Sequence, residues 1–205
     1  AIPSAAADAY TIDNSLRLDT TSFLSRTPDS AGNRKIWTLS FWTKRGKIGG
    51  EQHFLQAPTS GAQPYTDLLW DSSTNKIHFY DYSGGYSFNL KTLPIYRDPS
   101  AWYHIVIKYD STPATPGSND VGIYVNGEQV TAFTTETYPA QDYETGMNKA
   151  LEFPWGSNGA VAGIDGYIAE TYFIDGTKLA ASDFGELDST TNQWIPLDSD
   201  DVKDA

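Results

Sequence analysis

The stretch Trp102-Tyr103-His104-Ile105-Val106-Ile107-Lys108-Tyr109-Asp110 decides the fold. With it goes Val121-Gly122-Ile123-Tyr124-Val125-Asn126-Gly127-Glu128-Gln129-Val130, which follows after a polar loop. Tyr103, Ile105, Ile107 and Tyr109 alternate with His104, Val106 and Lys108. A period of two marks a strand with one face in a core. Asn126-Gly127 separates Ile123-Tyr124-Val125 from Glu128-Gln129-Val130. Both central residues of a type I′ turn need positive φ, and Asn-Gly supplies them at little steric cost. The stretch therefore predicts antiparallel strands and a tight hairpin. It carries no evident chemistry.

Working outward, residues 36–44 alternate in the same way, with Trp37, Leu39 and Phe41 on one face and Thr38, Ser40 and Trp42 on the other. Residues 67–71 and 76–82 flank the polar run Ser72-Ser73-Thr74-Asn75, which reads as a hairpin. Residues 166–174 form another clean strand, turned by Asp175-Gly176. Residues 131–147 read as a long polar segment. Residues 179–185 are the only stretch that reads as a helical turn. About a dozen short strands with almost no helix predict an all-β protein. Its expected form is a two-sheet antiparallel β-sandwich of jelly-roll type. No linker composition divides the chain. The expected organisation is an N-terminal arm over 1–14, one sandwich domain over 15–197 and an acidic tail over 198–205.

The chain has 205 residues, enough for one β domain with a sizeable core. Fourteen Lys and Arg stand against 26 Asp and Glu, a net charge of -12. Such a chain repels a phosphate backbone and an anionic membrane, so nucleic-acid binding and membrane insertion are not expected. No apolar run reaches membrane-spanning length. The absence of cysteine removes disulfides, Cys-bound zinc and thiol catalysis, and it fits synthesis in a reducing cytoplasm.

The order Leu39-Ser40-Phe41-Trp42, Trp102-Tyr103-His104-Ile105-Val106, Ile123-Tyr124-Val125-Asn126-Gly127, Gly166-Tyr167-Ile168-Ala169-Glu170 resembles a known family. It is the laminin G-like branch of the concanavalin A-like lectin/glucanase superfamily, and the resemblance runs over roughly residues 15–174. The closing pieces are Phe173-Ile174-Asp175-Gly176, Leu179, Ser182-Asp183-Phe184-Gly185 and Trp194-Ile195-Pro196. They are similar to the ends of laminin G-like domains in marine bacteriophage structural proteins. The resemblance implies a non-enzymatic structural or adhesion domain on a virion surface, in a tail, fibre or decoration. Its implied partners are other virion proteins, copies of itself as a homo-oligomer, and host-surface polysaccharide. A free carbohydrate-binding lectin and a glycoside hydrolase are the alternatives.

The hydrolase alternative meets a departure. Hydrolases of this jelly roll carry Glu-x-Asp-x-x-Glu on one strand, whereas Glu170 here is followed by Thr171-Tyr172-Phe173-Ile174-Asp175. No catalytic residue is expected, and Glu170 reads as structural. His53, His78 and His104 lie in three separate strands and read mainly as packed side chains, with a three-His metal site as the other reading. Laminin G-like domains often hold calcium at a rim. The oxygen-rich rim loops are Asp71 to Asn75 and Asp110 to Asp120, and Asp110, Asn119 and Asp120 are the candidate ligands, against Asx turns as the plainer reading. No cofactor is required. The best binding candidates are aromatic: Trp70, Tyr80, Tyr82, Tyr86 and Trp155, near carboxylates and amides that accept sugar hydroxyls. Each of these rings also suits a core or a subunit interface.

Overall fold

A computed structural model describes residues 10–58, 63–159 and 162–203. Its strands are β1 Leu16–Leu18, β2 Leu24–Arg26, β3 Ile36–Arg45, β4 Gln52–Ala57, β5 Tyr65–Trp70, β6 Ile77–Tyr82, β7 Tyr86–Thr92 and β8 Trp102–Asp110. They continue as β9 Gly122–Val125, β10 Glu128–Gln129, β11 Phe133–Thr137, β12 Phe153–Trp155, β13 Gly166–Asp175, β14 Gly185–Leu187 and β15 Trp194–Pro196. A 3-10 turn, Ala181–Asp183, falls in the expected helical stretch, and a short helix, α1, spans Ser199–Lys203. The strands form a six-stranded sheet in the order β1-β13-β3-β8-β9-β10 and a seven-stranded sheet in the order β11-β7-β6-β5-β4-β12-β2. Both are antiparallel, and β14 with β15 makes a separate pair. This is the expected two-sheet sandwich. Among the described residues no helix is long and apolar enough to cross a membrane.

The alternation read from sequence sets the inner faces. On β3 and β8, Trp37 pairs with Tyr109, Leu39 with Ile107 and Phe41 with Ile105, and all six are buried. Across the sandwich they meet Phe54, Trp70, Phe79, Phe88 and Leu90 of the other sheet. Trp37 stacks on Tyr109 at 5.1 Å and meets Phe79 edge-on at 6.1 Å, and Phe41 lies 4.9 Å from Phe54. Each such side chain contributes about 1.5–3 kcal/mol by leaving water. The Asn-Gly turn forms as read, with φ of 50° at Asn126 and 81° at Gly127 and Val125 paired with Glu128.

The second face departs from the alternation. Thr38, Ser40, Trp42, His104 and Val106 point out of the sandwich, yet they too are buried. Residues 177–203 fold back over them. Ala181, Phe184 and Val202 pack with Val106 in a second cluster, joined by Tyr124, Tyr172, Leu179 and Trp194. The acidic stretch expected as a tail thus contributes α1, and its Val202 is buried in this layer. The polar segment 131–147 also holds an unexpected strand, β11. Its residues are mostly exposed at a sheet edge, so no apolar alternation marks it.

His104 is the pivot of the outer layer. The Trp194 indole N–H donates to His104 Nδ1 at 2.9 Å. An indole can only donate, so Nδ1 is unprotonated and the proton sits on Nε2, which donates to Ser40 Oγ at 2.8 Å. The imidazole stacks on Trp42 at 4.8 Å, and the Trp194 ring lies near-parallel to it with centroids 6.0 Å apart. Its backbone N–H donates to Asn126 Oδ1 at 2.8 Å, and its carbonyl accepts from Asn126 N at 2.9 Å. Burial holds its pKa down to about 3. The unfolded chain therefore takes up this proton first as pH falls. The stability tied to neutral His104 is present above 6.5 and is lost from there down toward about 3.

Gly127 tests the closure of this layer. A Cβ there would come within 2.3 Å of the Trp194 ring, whereas one at Gly84, also at positive φ, would meet nothing within 4 Å. Denaturant melts of Gly84→Ala should show about 1–2 kcal/mol of loss from the left-handed backbone alone. Gly127→Ala should lose clearly more, because the indole must also move. Equal losses would mean that Trp194 is not seated on the turn.

Candidate functional site

The outward face of β5, β6 and β7 gathers aromatic rings. Alternation on β6 sends Ile77, Phe79 and Asp81 inward and His78, Tyr80 and Tyr82 outward. Register then places Tyr65 opposite Tyr82, Asp67 opposite Tyr80, Asn89 opposite Tyr80 on the other side, and Tyr86 opposite Tyr82. Tyr86 meets Tyr80 at 5.3 Å and Tyr82 at 5.6 Å, both nearly perpendicular, and Tyr65 lies 5.7 Å from Tyr82. Tyr86 is 55% exposed, and Tyr65, Tyr80 and Tyr82 are half-buried. The patch thus presents ring faces and edges to solvent.

Beneath it lies a buried polar network centred on Asp67. The carboxylate accepts from His53 Nδ1 at 2.7 Å, Gln56 Nε2 at 2.8 Å and the Tyr80 hydroxyl at 3.0 Å. His53 Nε2 meets Glu51 Oε1 at 3.0 Å. Burial alone would lower the His53 pKa, but hydrogen bonds and charge from Asp67 and Glu51 overcome it and raise it. Burial, then the Asp67 charge, drives the Tyr80 phenol up, so it stays a neutral donor. The network fixes the Tyr80 ring at the centre of the patch. His78, kept neutral by burial, meets Asn89 Oδ1 at 2.8 Å, and Lys91 donates to Asp71 at 2.8 Å at the border. Chemically the face offers apolar ring surfaces beside amide and carboxylate groups. That combination suits a sugar, whose C–H face stacks while its hydroxyls exchange hydrogen bonds.

Of the aromatics singled out from sequence, Tyr80, Tyr82 and Tyr86 come together. Trp70 does not join them: it is 1% exposed in the core, with the Arg45 guanidinium 4.9 Å over its ring. Trp155 also packs inward, edge-on to Phe41 at 5.0 Å. Their places correct the expectation: core atoms surround Trp70, and Trp155 borders a separate hollow with Leu24 and Phe153, away from the tyrosine face. Tyr65, Asp67 and Asn89 were missed. The signal for Tyr65 and Asp67 was the register across the 72–75 turn, which sets both opposite the outward side of β6.

The three histidines stay apart. His53 and His78 lie on the seven-stranded sheet and His104 on the other, and no group of three or more His, Cys, Asp or Glu among the described residues could hold a metal ion. Glu170 sits at a bulge in β13 with φ of 43° and accepts from the hydroxyls of Tyr10 and Tyr172. Asp81, inside the sandwich, is raised by burial. Its oxygens accept from Tyr143, Thr66 and the Gly146 N–H. Both acids are thus engaged in holding the fold.

Asp110 and Asp120 do converge, and Lys178 lies between them. Its ammonium is 3.0 Å from Asp110 and 3.1 Å from Asp120, while Asn119 is exposed in the adjoining turn. Asp110 also accepts from Thr112 N and Oγ1, the pattern of an Asx turn, and Asp120 accepts from Gly117 N three residues before it. A calcium ion would have to displace that ammonium. Thermal melts should therefore be the same with calcium and with chelator. Lys178→Met, which leaves the carboxylates facing each other, should melt lower and gain calcium dependence. A wild-type melting temperature that falls on chelation would contradict this geometry.

A family model described as the concanavalin A-like lectin/glucanases superfamily matches residues 19–182, and the chain belongs to that superfamily. No curated protein matches it. Among solved structures it is similar to domain 4 of AbnA, a GH43 extracellular arabinanase from Geobacillus stearothermophilus, in complex with arabinotriose. The TM-score is 0.60 at 19% identity, covering 86% of this chain and 78% of that one. It is also similar to domains LG4-5 of the mouse laminin alpha1 chain, with TM-score 0.58 at 13% identity, covering 85% of this chain and 46% of that one. A third likeness is to CBM40 of the Ruminococcus gnavus IT-sialidase, with TM-score 0.50 at 13% identity, covering 78% and 95%. At these identities the likeness is one of fold.

Proposed function

We propose that the chain is a non-enzymatic carbohydrate-binding and adhesion domain that takes glycan on the tyrosine face of its seven-stranded sheet. The observation that carries this is the cluster of Tyr65, Tyr80, Tyr82 and Tyr86 on an outward sheet face, anchored from below by Asp67. Aromatic rings held still in a solvent-facing patch lower the ordering cost of stacking on a sugar. The AbnA domain bound to arabinotriose and the CBM40 domain, both of this fold, support the reading. The lack of a Glu-x-Asp-x-x-Glu strand, with Glu170 and Asp81 each held by structural donors, supports the absence of catalysis.

The likeness of residues 173–196 to the ends of bacteriophage laminin G-like domains supports a place on a virion surface, in a tail, fibre or decoration. There, many copies would turn weak single-site binding into firm attachment to host polysaccharide. A free lectin would share the site without the display.

A glycan array separates these outcomes. Tyr82→Ala and Tyr86→Ala should each weaken binding by about 1–2 kcal/mol, roughly a tenfold loss, with little change in melting temperature. Unchanged binding in both would remove the tyrosine face as the site. Release of reducing sugar from a polysaccharide panel would contradict the non-enzymatic reading.

A further inference from the structure

Two hollows lie on the opposite side of the molecule, over the outer face of the six-stranded sheet. Their volumes are about 300 and 670 Å³, and Trp42, Trp102 and Trp194 line both. The larger is bordered by Asn126, Glu128 and Gln193, all exposed, and the smaller by Asp13 among other residues of 10–15. No Lys, Arg or His lines either hollow among the described residues.

The tryptophans are held in place before any ligand arrives. Trp194 spends its indole N–H on His104 Nδ1 and lies near-parallel to that ring. Gly127 and Gly185 lie so close to the indole that a Cβ at either would fall within 3 Å of it. Trp102 is steadied by Tyr167 at 6.4 Å, itself capped by Arg17 at 5.3 Å. Even so, Trp102 and Trp194 stay partly exposed. An indole that is locked yet still open to solvent can stack on a ligand with little ordering cost. Much of the wall lies outside the span of the superfamily match. The superfamily match covers residues 19–182, whereas residues 10–15 and 187–196 supply much of the lining.

We propose that this tryptophan groove is a second binding site, for a neutral oligosaccharide. Indole faces take the C–H faces of sugar rings, and the amides of Asn126 and Gln193 exchange hydrogen bonds with hydroxyls. The charge of the lining decides the class of sugar. Its charged side chains, Glu128 and Asp13, are acidic, and the whole chain carries -12. Uronic and sialic acids would meet like charge with no cation in the lining to offset it, while a neutral chain meets amides and carboxylates that hydrogen-bond its hydroxyls. A protein with sites on both outer sheet faces could bridge two glycan strands. The inference rests on the carbohydrate-binding reading above but places a separate site.

Calorimetry on the full chain tests it. The probes are short neutral oligosaccharides of glucose, galactose, mannose and arabinose, with sialyllactose and oligogalacturonate as acidic comparators. Neutral sugars should bind, and Trp102→Ala should weaken that binding about tenfold or more. Tyr82→Ala/Tyr86→Ala should leave a neutral-sugar component in place. Glu128→Lys, at an exposed side chain, serves as the second variant should Trp102→Ala melt low, and it should let acidic sugars into the groove. Neutral-sugar binding unaffected by both groove variants, or binding of acidic sugars alone, would overturn the groove. If the tyrosine variant abolishes all binding, the groove fails and the first site stands. If Trp102→Ala abolishes all binding, the groove stands and the tyrosine face fails. If no sugar binds, both fail.

Discussion

The outer layer depends on the contact between His104 and Trp194. One hydrogen bond, indole N–H to imidazole Nδ1, ties residue 194 to the first half of β8 across 90 positions of chain. Around it the imidazole stacks on Trp42, Ser40 accepts its remaining proton and Asn126 bridges its backbone. A buried polar group costs about 1–3 kcal/mol when left unpaired, so a sheet face carrying His104 and Ser40 needs these partners. The C-terminal segment supplies the decisive one. With Trp194 seated, Val106, Phe184 and Val202 close a second apolar layer. The six-stranded sheet is thereby buried on both faces along β3 and β8.

That burial separates two kinds of surface. The inner faces form the aromatic core that holds the two sheets together. The outer face of the seven-stranded sheet keeps its tyrosines in solvent, with Asp67 pinning Tyr80 from beneath. The outer face of the six-stranded sheet is covered by residues 177–203, except where tryptophans show between the covering segments. Both exposed aromatic surfaces depend on buried hydrogen bonds that fix a ring, Asp67 to Tyr80 on one side and His104 to Trp194 on the other.

Much of the frame was legible in the chain. The alternation from Tyr103 to Tyr109, the Asn126-Gly127 turn and the 72–75 hairpin each depend on near neighbours, and each formed as read. The outward set His78, Tyr80 and Tyr82 was legible for the same reason. What was not legible depends on partners far along the chain. Nothing near Ser40 or His104 announces that Trp194 will cover them. Nothing near Asp110 announces Lys178, which joins Asp120 from 58 positions away. Composition also misled where one residue did the work, as with Val202 in an acidic helix, and where none did, as in the exposed strand β11. Trp70 and Trp155 show that a ring's chemistry does not reveal its side of a sheet unless the register is known.

The most direct test of the two-faced burial is nitrogen-detected NMR of the His104 ring across a pH titration. The structure predicts a neutral ring with its proton on Nε2 and a hydrogen-bonded Nδ1. That state should persist from neutral pH, with no transition near 6.5, until the pH nears about 3 or the protein unfolds. A midpoint near 6.5, or a proton on Nδ1, would contradict it. Either result would mean that Trp194 does not cap the histidine and that the outer layer is not closed.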